Sequence, residues 1–480
     1  MLLLADWVIP VSSAPLADAG VRVAEGRIVE VGPAAQLRAR EGEEVRSFPG
    51  CVLLPGLVNS HVHLELSAFR GFARPSSFGR WMLNFLLARR GLDRPHFEAS
   101  ALWGAHECAR CGVTSLADTA YDGHAVVRAA AAAGLRARVY QEVFGLDDAT
   151  LPHTMERYEA LIGRLQEEVD PAAPLVEVGV SPHAPYTVSP RLYREAARFA
   201  RRAGLRLATH VAESQAEVEL LSRGTGPIAK AHRLTHLWTG APWSPPRVRP
   251  IEYVAAAGAL SADTLVIHAV QVDQEEVGIL AASGAAVAHC PRSNARLRCG
   301  IAPVADYLAA GIPVGLGTDS LASNDSLDIF AEMRAALAAA ESRAAGNGLT
   351  GADSGGDVSP SDSAARPGAR AGAGPAAPRP LTAEAVLRMA TLEGARALGW
   401  GRLTGSLEPG KSADVIAVRL PVGLRPVAPG DLVAVLVARG KAADIRMTMA
   451  AGKVIFDGGG LPPEVLSGFR EVRERLDLKG

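Results

Sequence analysis

Lysine is nearly absent from this chain. Five lysines stand against 45 arginines, and none precedes Lys230. Cysteine is sparse as well. Cys51, Cys108, Cys111, Cys290 and Cys299 form an odd, scattered set that argues against a disulfide framework and for a reducing compartment. No uninterrupted apolar run of about 18 residues occurs, so no membrane span is expected. Blocks of basic charge are missing, and the formal net charge is -1. A nucleic-acid or polyanion partner is therefore not expected. The opening segment, MLLLADWVIP, lacks a basic n-region and a small-residue cleavage site, and Asp6 interrupts its apolar run. We expect no signal peptide there and a cytoplasmic protein.

What is present is ample. The chain has 480 residues, 48% of them apolar, enough for one large domain and a smaller one. The first 55 residues read as short strands and turns, with GVRVAEGRIVEVGP alternating apolar and polar around a turn at Glu25-Gly26. Near the other end, GSLEPGKSADVIAVRL and MTMAAGKVIFDGGG repeat that pattern. Neither end holds enough apolar surface to fold alone. We expect residues 1–55 and 400–460 to pair into one small β-sandwich domain.

The middle, 56–399, alternates short β-branched runs with Ala-, Leu- and Arg-rich helical stretches. The runs are GLVNSHVH, VTSLADTA, RARVYQEV, LVEVGVSPH, LRLATHVAES, TLVIHAV, AAVAHCP and IPVGLGTDS. Eight β/α units predict a parallel (β/α)8 TIM barrel. Residues 342–380 are almost all Ala, Gly, Ser, Pro, Asp and Arg, a composition read as a disordered surface insertion.

The polar residue closing each run carries the chemical signal. These are His61 and His63, Asp118, Gln141 with Glu142, His183, His210, His268, His289 and Asp319. A parallel barrel carries its active site at the carboxyl ends of its strands, so these groups meet at one mouth. In HVH, two imidazoles two residues apart turn to the same face. His61, His63, His210 and Asp319 suit one borderline divalent ion, Zn2+ before Fe2+, with a position left for water. A water bound there has its pKa lowered to about 7. Cys108 and Cys111 form a C-x-x-C in HECARCG, but no second ligand pair lies near, and two small apolar residues on a helix is the plainer reading.

The segments LPGLVNSHVHLELS, HVAES, HCPRSNARL and GLGTDSLASNDSLDIFAEMR resemble the amidohydrolase superfamily. The resemblance is to its cytosine deaminase-like and chlorohydrolase-like branch, which includes methylthioadenosine/S-adenosylhomocysteine deaminases and guanine deaminases. It covers nearly the whole chain, apart from 342–380 and about the last 20 residues. It implies His61, His63, His210 and Asp319 as metal ligands, Glu213 as proton shuttle and His268 as the group that polarises the attacking oxygen. Asp319 then also helps deliver a proton to the leaving amine. His183 matches a substrate-binding histidine. Plainer readings remain, with Glu213 a helix-start charge, His268 a buried structural histidine, and His289 either structural or substrate-facing. Ser320 and Asn324 are placed near substrate, although Asn324 equally suits a turn. The missing lysines count here, because relatives with a carboxylated lysine on strand four hold two metals. This strand ends in His183, so a single metal is expected.

The resemblance implies hydrolytic deamination of a 6-aminopurine nucleoside. HLELS followed by FGRWMLNFLLARR is similar to aminodeoxyfutalosine deaminases, with methylthioadenosine and S-adenosylhomocysteine as the other substrates considered. Arg90 falls where the methylthioadenosine enzymes carry a ribose-binding Glu, and an arginine suits a substrate carboxylate. Arg136, Arg138, Gln141 and Glu142 on strand three are further substrate candidates. Alternatives are guanine deamination, triazine dechlorination and, in another class, a non-catalytic assembly protein, which relatives become by losing metal ligands. A homo-oligomer is expected.

Overall fold

In the computed structural model, the described residues are all except 73–76, 170–174, 236–244, 347–379, 421–429 and 478–480. Eight strands make the barrel. They are β5 (Leu57–Val62), β6 (Val113–Ala120), β7 (Arg136–Val143), β8 (Val176–Pro182), β9 (Leu207–Val211), β10 (Thr264–His268), β11 (Ala286–His289) and β12 (Val314–Leu316). They follow sequence order around the sheet, and all their pairings are parallel. Each corresponds to one of the eight β-branched runs. All eight residues of β6 and all five of β9 are buried, as a strand covered on both faces requires.

The seam between β12 and β5 closes through polar groups. The Asp319 N–H donates to the His61 carbonyl at 3.0 Å, and the Thr318 N–H donates to Asn59 Oδ1 at 3.0 Å. Gly317 permits this approach, because a Cβ there would stand 2.9 Å from His61 Cβ and 3.0 Å from Cys290 Sγ. The amino-terminal end of the barrel is plugged. Ala395, Ala397, Leu398 and Trp400 pack against Val58, Ala117, Tyr140, Ala208 and Ile267.

The chain ends build a separate seven-stranded sheet from β1 (Leu2–Val8), β2 (Leu16–Ala24), β3 (Arg27–Pro33), β4 (Val45–Pro55), β13 (Val415–Arg419), β14 (Ile445–Ala450) and β15 (Lys453–Phe456). Its order is β15-β14-β13-β4-β1-β2-β3, so the two ends join where β13 pairs antiparallel with β4. Beyond the sheet, the helix Pro463–Arg475 lays the Phe469 ring on Trp103, centroids 4.0 Å apart.

The boundary of the low-complexity segment is corrected at its start. Ser342, Arg343 and Ala344 finish the helix Ile329–Ala344, whose alanine-rich sequence sustains helix to that point. The expected disorder falls on 347–379, outside the described residues. All five cysteines are buried and outside any disulfide, with Cys108 and Cys111 at the end of the helix Arg94–Arg110. No helix among the described residues is long and apolar enough to cross a membrane.

Candidate active site

Five side chains converge at the carboxyl end of the barrel. His61, His63 and Asp319 bring one ligand atom each within 4.8 Å of one another, and so do His61, His210 and His268. His61 Nε2 lies 3.3 Å from Asp319 Oδ1, and His63 Nε2 lies 3.6 Å from the same oxygen. Both ring nitrogens of His61 are buried without a hydrogen-bond partner. Burying such nitrogens unsatisfied is costly, and a bound cation removes the cost. Burial holds the His61 imidazole down at about 3 and lowers those of His63 and His210. Neutral imidazole is the form that ligates a metal. The residues present therefore fit a divalent ion.

The supports are built into the strand ends. The His210 Nδ1–H donates to the His183 carbonyl at 3.1 Å, which leaves Nε2 for a ligand. Asp319 Oδ2 accepts from the Ser293 hydroxyl at 2.5 Å and the Ser323 hydroxyl at 2.7 Å, and Oδ1 accepts from the Ser320 N–H at 2.6 Å. The Asp118 carboxylate accepts the Leu64 N–H at 2.7 Å and so fixes the turn after HVH. Ala212, His268 and Asp319 all take positive φ, at 54°, 72° and 57°. Such strain in non-glycine residues persists where surrounding contacts enforce it, often at functional sites.

Glu213 stands beside this cluster. Its Oε1 is 3.7 Å from His268 Nε2, and Glu213, His268 and Asp319 offer atoms within 4.8 Å of one another. His268 is oriented through Nδ1 on Asn294 Oδ1 at 3.1 Å. The Glu217 carboxylate accepts the N–H groups of Ala212 and Glu213, both at 3.0 Å, and pins the turn that aims Glu213. Burial, then Asp319 and Glu217, push the Glu213 carboxyl well above the ordinary range. A carboxyl shifted that way is suited to trade protons near neutral pH.

At the rim, His183 rests on Thr187 Oγ1 at 2.7 Å, and its ring lies 4.7 Å from that of Phe144. The remaining expected substrate contacts need correction. Arg138 lies at the start of β7, at the opposite end of the barrel. Its guanidinium binds the Leu398 carbonyl and Glu177 and stacks 4.6 Å over Trp400. Arg136, lower still, meets Ser412 at 2.9 Å and Asp414 at 3.5 Å. Gln141 spends its amide on the backbone, accepting from the Gly123 N–H and donating to the Tyr121 carbonyl, both at 2.9 Å. Arg90 is exposed. The guanidinium near the buried carboxylates Glu65 and Glu142 is that of Arg89, 4.7 Å over the Tyr121 ring. Both residues lie in the 3-10 turn Arg89–Gly91, where neighbours point about 120° apart. Ser320 contacts Asp319 and Ser323. Asn324 donates to the Thr318 carbonyl and Glu332, both at 2.8 Å, so it pins the turn. His289 borders a cavity of about 380 Å³ beside the helix Pro291–Arg296.

Sequence reasoning missed Asn294, Ser293, Ser323, Glu217 and Thr187. Ser293 and Asn294 do lie inside HCPRSNARL, and Ser323 lies inside the segment that follows Asp319.

The amidohydrolase family model matches residues 52–366 and 367–455. The chain belongs to the amidohydrolase family. A 5-methylthioadenosine/S-adenosylhomocysteine deaminase of Moorella thermoacetica is 32% identical over 461 residues, covering 94% of this chain and 93% of that protein. A 5′-deoxyadenosine deaminase of Methanothermobacter thermautotrophicus is 32% identical over 398 residues, covering 82% of this chain and 79% of the other. Among solved structures, an adenosine deaminase from Xanthomonas campestris with bound zinc superposes with a TM-score of 0.77 at 25% identity, over 99% of this chain and 98% of that one. Amidohydrolases are metal-dependent, and among the described residues the convergent His/Asp groups could hold the ion.

Proposed function

We propose that this amidohydrolase is a hydrolytic deaminase of 6-aminopurine nucleosides with an altered 5′ group, using one Zn2+ per chain held by His61, His63, His210 and Asp319. The observation that carries the reading is the Glu213 carboxylate, 3.7 Å from His268 and beside Asp319 on the edge of the imidazole cluster. Three imidazoles and a carboxylate suit a borderline ion, and the zinc-bound adenosine deaminase of similar fold supports that choice. When bound, the ion supplies a strong electrostatic pull that lowers the pKa of a coordinated water.

The chain's own groups then move the protons. Glu213 accepts one from water and passes it to the ring nitrogen beside the amino-bearing carbon. His268, its tautomer fixed by Asn294, hydrogen-bonds the attacking oxygen through Nε2. Asp319 takes the second water proton and returns it to the amino group as the C–N bond breaks. Water and the aminopurine become the 6-oxopurine and ammonia, and no proton is left over.

The 5′ group is the finer part of the proposal. The relatives named for methylthioadenosine, S-adenosylhomocysteine and 5′-deoxyadenosine support a small or thioether 5′ substituent. The aminodeoxyfutalosine reading rests on the HLELS and FGRWMLNFLLARR resemblance and on arginines expected at the mouth; Arg136 and Arg138 are paired at the far end of the barrel, and in the 89–90 region the guanidinium near the mouth is that of Arg89. A homo-oligomer and a cytoplasmic location stay part of the proposal, the latter supported by five buried cysteines that form no disulfide. The test is loss of adenine absorbance with 5-methylthioadenosine, S-adenosylhomocysteine, 5′-deoxyadenosine and aminodeoxyfutalosine, beside guanine and a chlorotriazine. Highest kcat/KM with guanine or the chlorotriazine overturns the nucleoside reading.

A further inference from the structure

The helix Pro463–Arg475 lies in the last stretch of the chain, outside the segments that carry the amidohydrolase resemblance. The chemistry above makes no use of it. Val465, Phe469 and Val472 recur at helical spacing and are buried, so one face of the helix is an apolar stripe. That stripe docks on the helix Arg94–Arg110, where the Phe469 ring stacks on Trp103. One turn further on, Leu476 packs against the cluster of Phe69 and Phe85. Apolar packing thus fixes the helix from behind and brings its last turn to the mouth of the barrel.

Two arginines of that turn donate to the backbone of the mouth. Arg473 Nη1–H donates to the Arg70 carbonyl at 2.6 Å and to the Ala68 carbonyl at 3.3 Å. Both carbonyls belong to the end of the 3-10 helix Leu64–Phe69, where a helix terminus leaves acceptors in need of donors. Arg475 Nε–H donates to the Gly91 carbonyl at 2.7 Å, at the end of the 3-10 turn Arg89–Gly91. These two turns build one side of the mouth. The first follows His63 and carries Glu65, whose carboxylate accepts the Tyr121 N–H at 2.9 Å and the Asp122 N–H at 3.0 Å. The second carries Arg89, whose guanidinium lies 4.7 Å over the Tyr121 ring. Asp118 fixes the near end of the first turn through the Leu64 N–H, beside the ligand histidines, and Arg473 fixes its far end.

We propose that the last turn of this helix clamps the mouth, with Arg473 and Arg475 as positioning residues that hold the turns bearing Glu65 and Arg89 in place for substrate. This rests on the deaminase reading above and gives the carboxyl-terminal helix a part in substrate binding. The division of labour follows from where each contact falls. The ion cluster keeps its own supports in Ser293, Ser320 and Ser323 on Asp319, so loosening the far ends of the two turns acts on binding and not on the chemical step. Covering Trp103 requires the apolar stripe and not the two guanidiniums, so packing and clamping separate by mutation.

The experiment compares the metal-replete wild type with Arg473→Ala/Arg475→Ala and with Arg473→Lys/Arg475→Lys. Steady-state kinetics on 5′-deoxyadenosine are read beside zinc content and amide hydrogen exchange. The alanine pair should raise KM about 5- to 30-fold, the effect of losing one or two charge-assisted hydrogen bonds, with kcat and zinc content nearly unchanged. Amides of 64–72 and 86–93 should exchange faster, and those of β9 should not. The lysine pair, which keeps a cationic donor at each place, should restore most of the binding. Unchanged KM overturns the clamp, whether or not exchange quickens. A fall in kcat or zinc content at unchanged KM overturns it too, by placing the arginines behind the ion cluster. A lysine pair as impaired as the alanine pair assigns the effect to guanidinium packing and overturns the donor role. If the alanine pair fails to fold, Arg475→Ala alone carries the same test. Absence of turnover in the loaded wild type sinks the deaminase reading, and exchange with calorimetric binding of 5′-deoxyadenosine then decides the clamp by the same criteria.

Discussion

The two ends of the barrel handle buried charge differently: at the amino-terminal end even the buried charged atoms without a hydrogen bond, Arg136 Nε and Asp414 Oδ2, face each other at 3.5 Å. At the amino-terminal end, Arg138 is matched by Glu177, the Leu398 carbonyl and the Trp400 ring, and Trp400 Nε1–H donates to Glu177 at 3.1 Å. At the carboxyl-terminal end, His61 and Glu142 hold buried atoms with no partner, and His268 and Asp319 sit in strained backbone. The same residue classes therefore do different jobs. Charges whose partners are all in the protein hold it together, and charges left wanting a partner mark where an ion or substrate belongs.

The sharpest way to break this contrast is at the ion. Asp319→Ala removes a carboxylate that faces both His61 and His63, and we expect zinc content and turnover to fall to background together. Elemental analysis beside a deaminase assay measures both, and a metal-free variant with residual wild-type turnover would separate the cluster from catalysis. One step out, Glu213→Gln keeps shape and metal but removes the basic carboxylate. It should lower kcat by ~10²–10⁴-fold, the usual contribution of a positioned acid–base group. Retained kcat would return Glu213 to the role of a helix-start charge. Further out, Asn294→Ala frees the ring that Asn294 holds through Nδ1, and we expect a 10- to 100-fold loss of activity with zinc retained. Rescue by Asn294→Asp, which keeps the acceptor, would distinguish orientation from packing.

The contrast also predicts where activity should not respond. Arg138→Ala should leave kcat/KM unchanged and cost about 1–3 kcal/mol of stability, because it takes a buried donor from the Leu398 carbonyl and opens space beside Trp400. Denaturant unfolding and steady-state kinetics on the same preparation read both quantities. A large KM effect without loss of stability would put Arg138 back at the mouth.

These outcomes also explain what could be read from the chain. The barrel was visible because each strand is a short β-branched run with helix between, and the cluster was visible because HVH, HVAES and GTDS close such runs. The strand-three arginines were misplaced for a physical reason. Arg138 and Glu142 lie on one strand, four residues apart, and the run alone does not say that one end is plugged by Trp400 while the other opens on the ion. Arg90 was preferred to Arg89 because a residue count carries no phase through a 3-10 turn. Asn294 and Ser293 were missed because their targets, His268 and Asp319, are each 26 residues away and meet them only through the folded barrel.

The measurement that tests the central claim most directly is deamination of 5′-deoxyadenosine by one preparation taken through metal loading, chelation and reloading with Zn2+. The account predicts adenine absorbance lost and ammonia released by the loaded protein, no turnover after chelation, and recovery at about one Zn2+ per chain. Undiminished turnover in the chelated protein, or none in the loaded protein with any 6-aminopurine nucleoside, would contradict it.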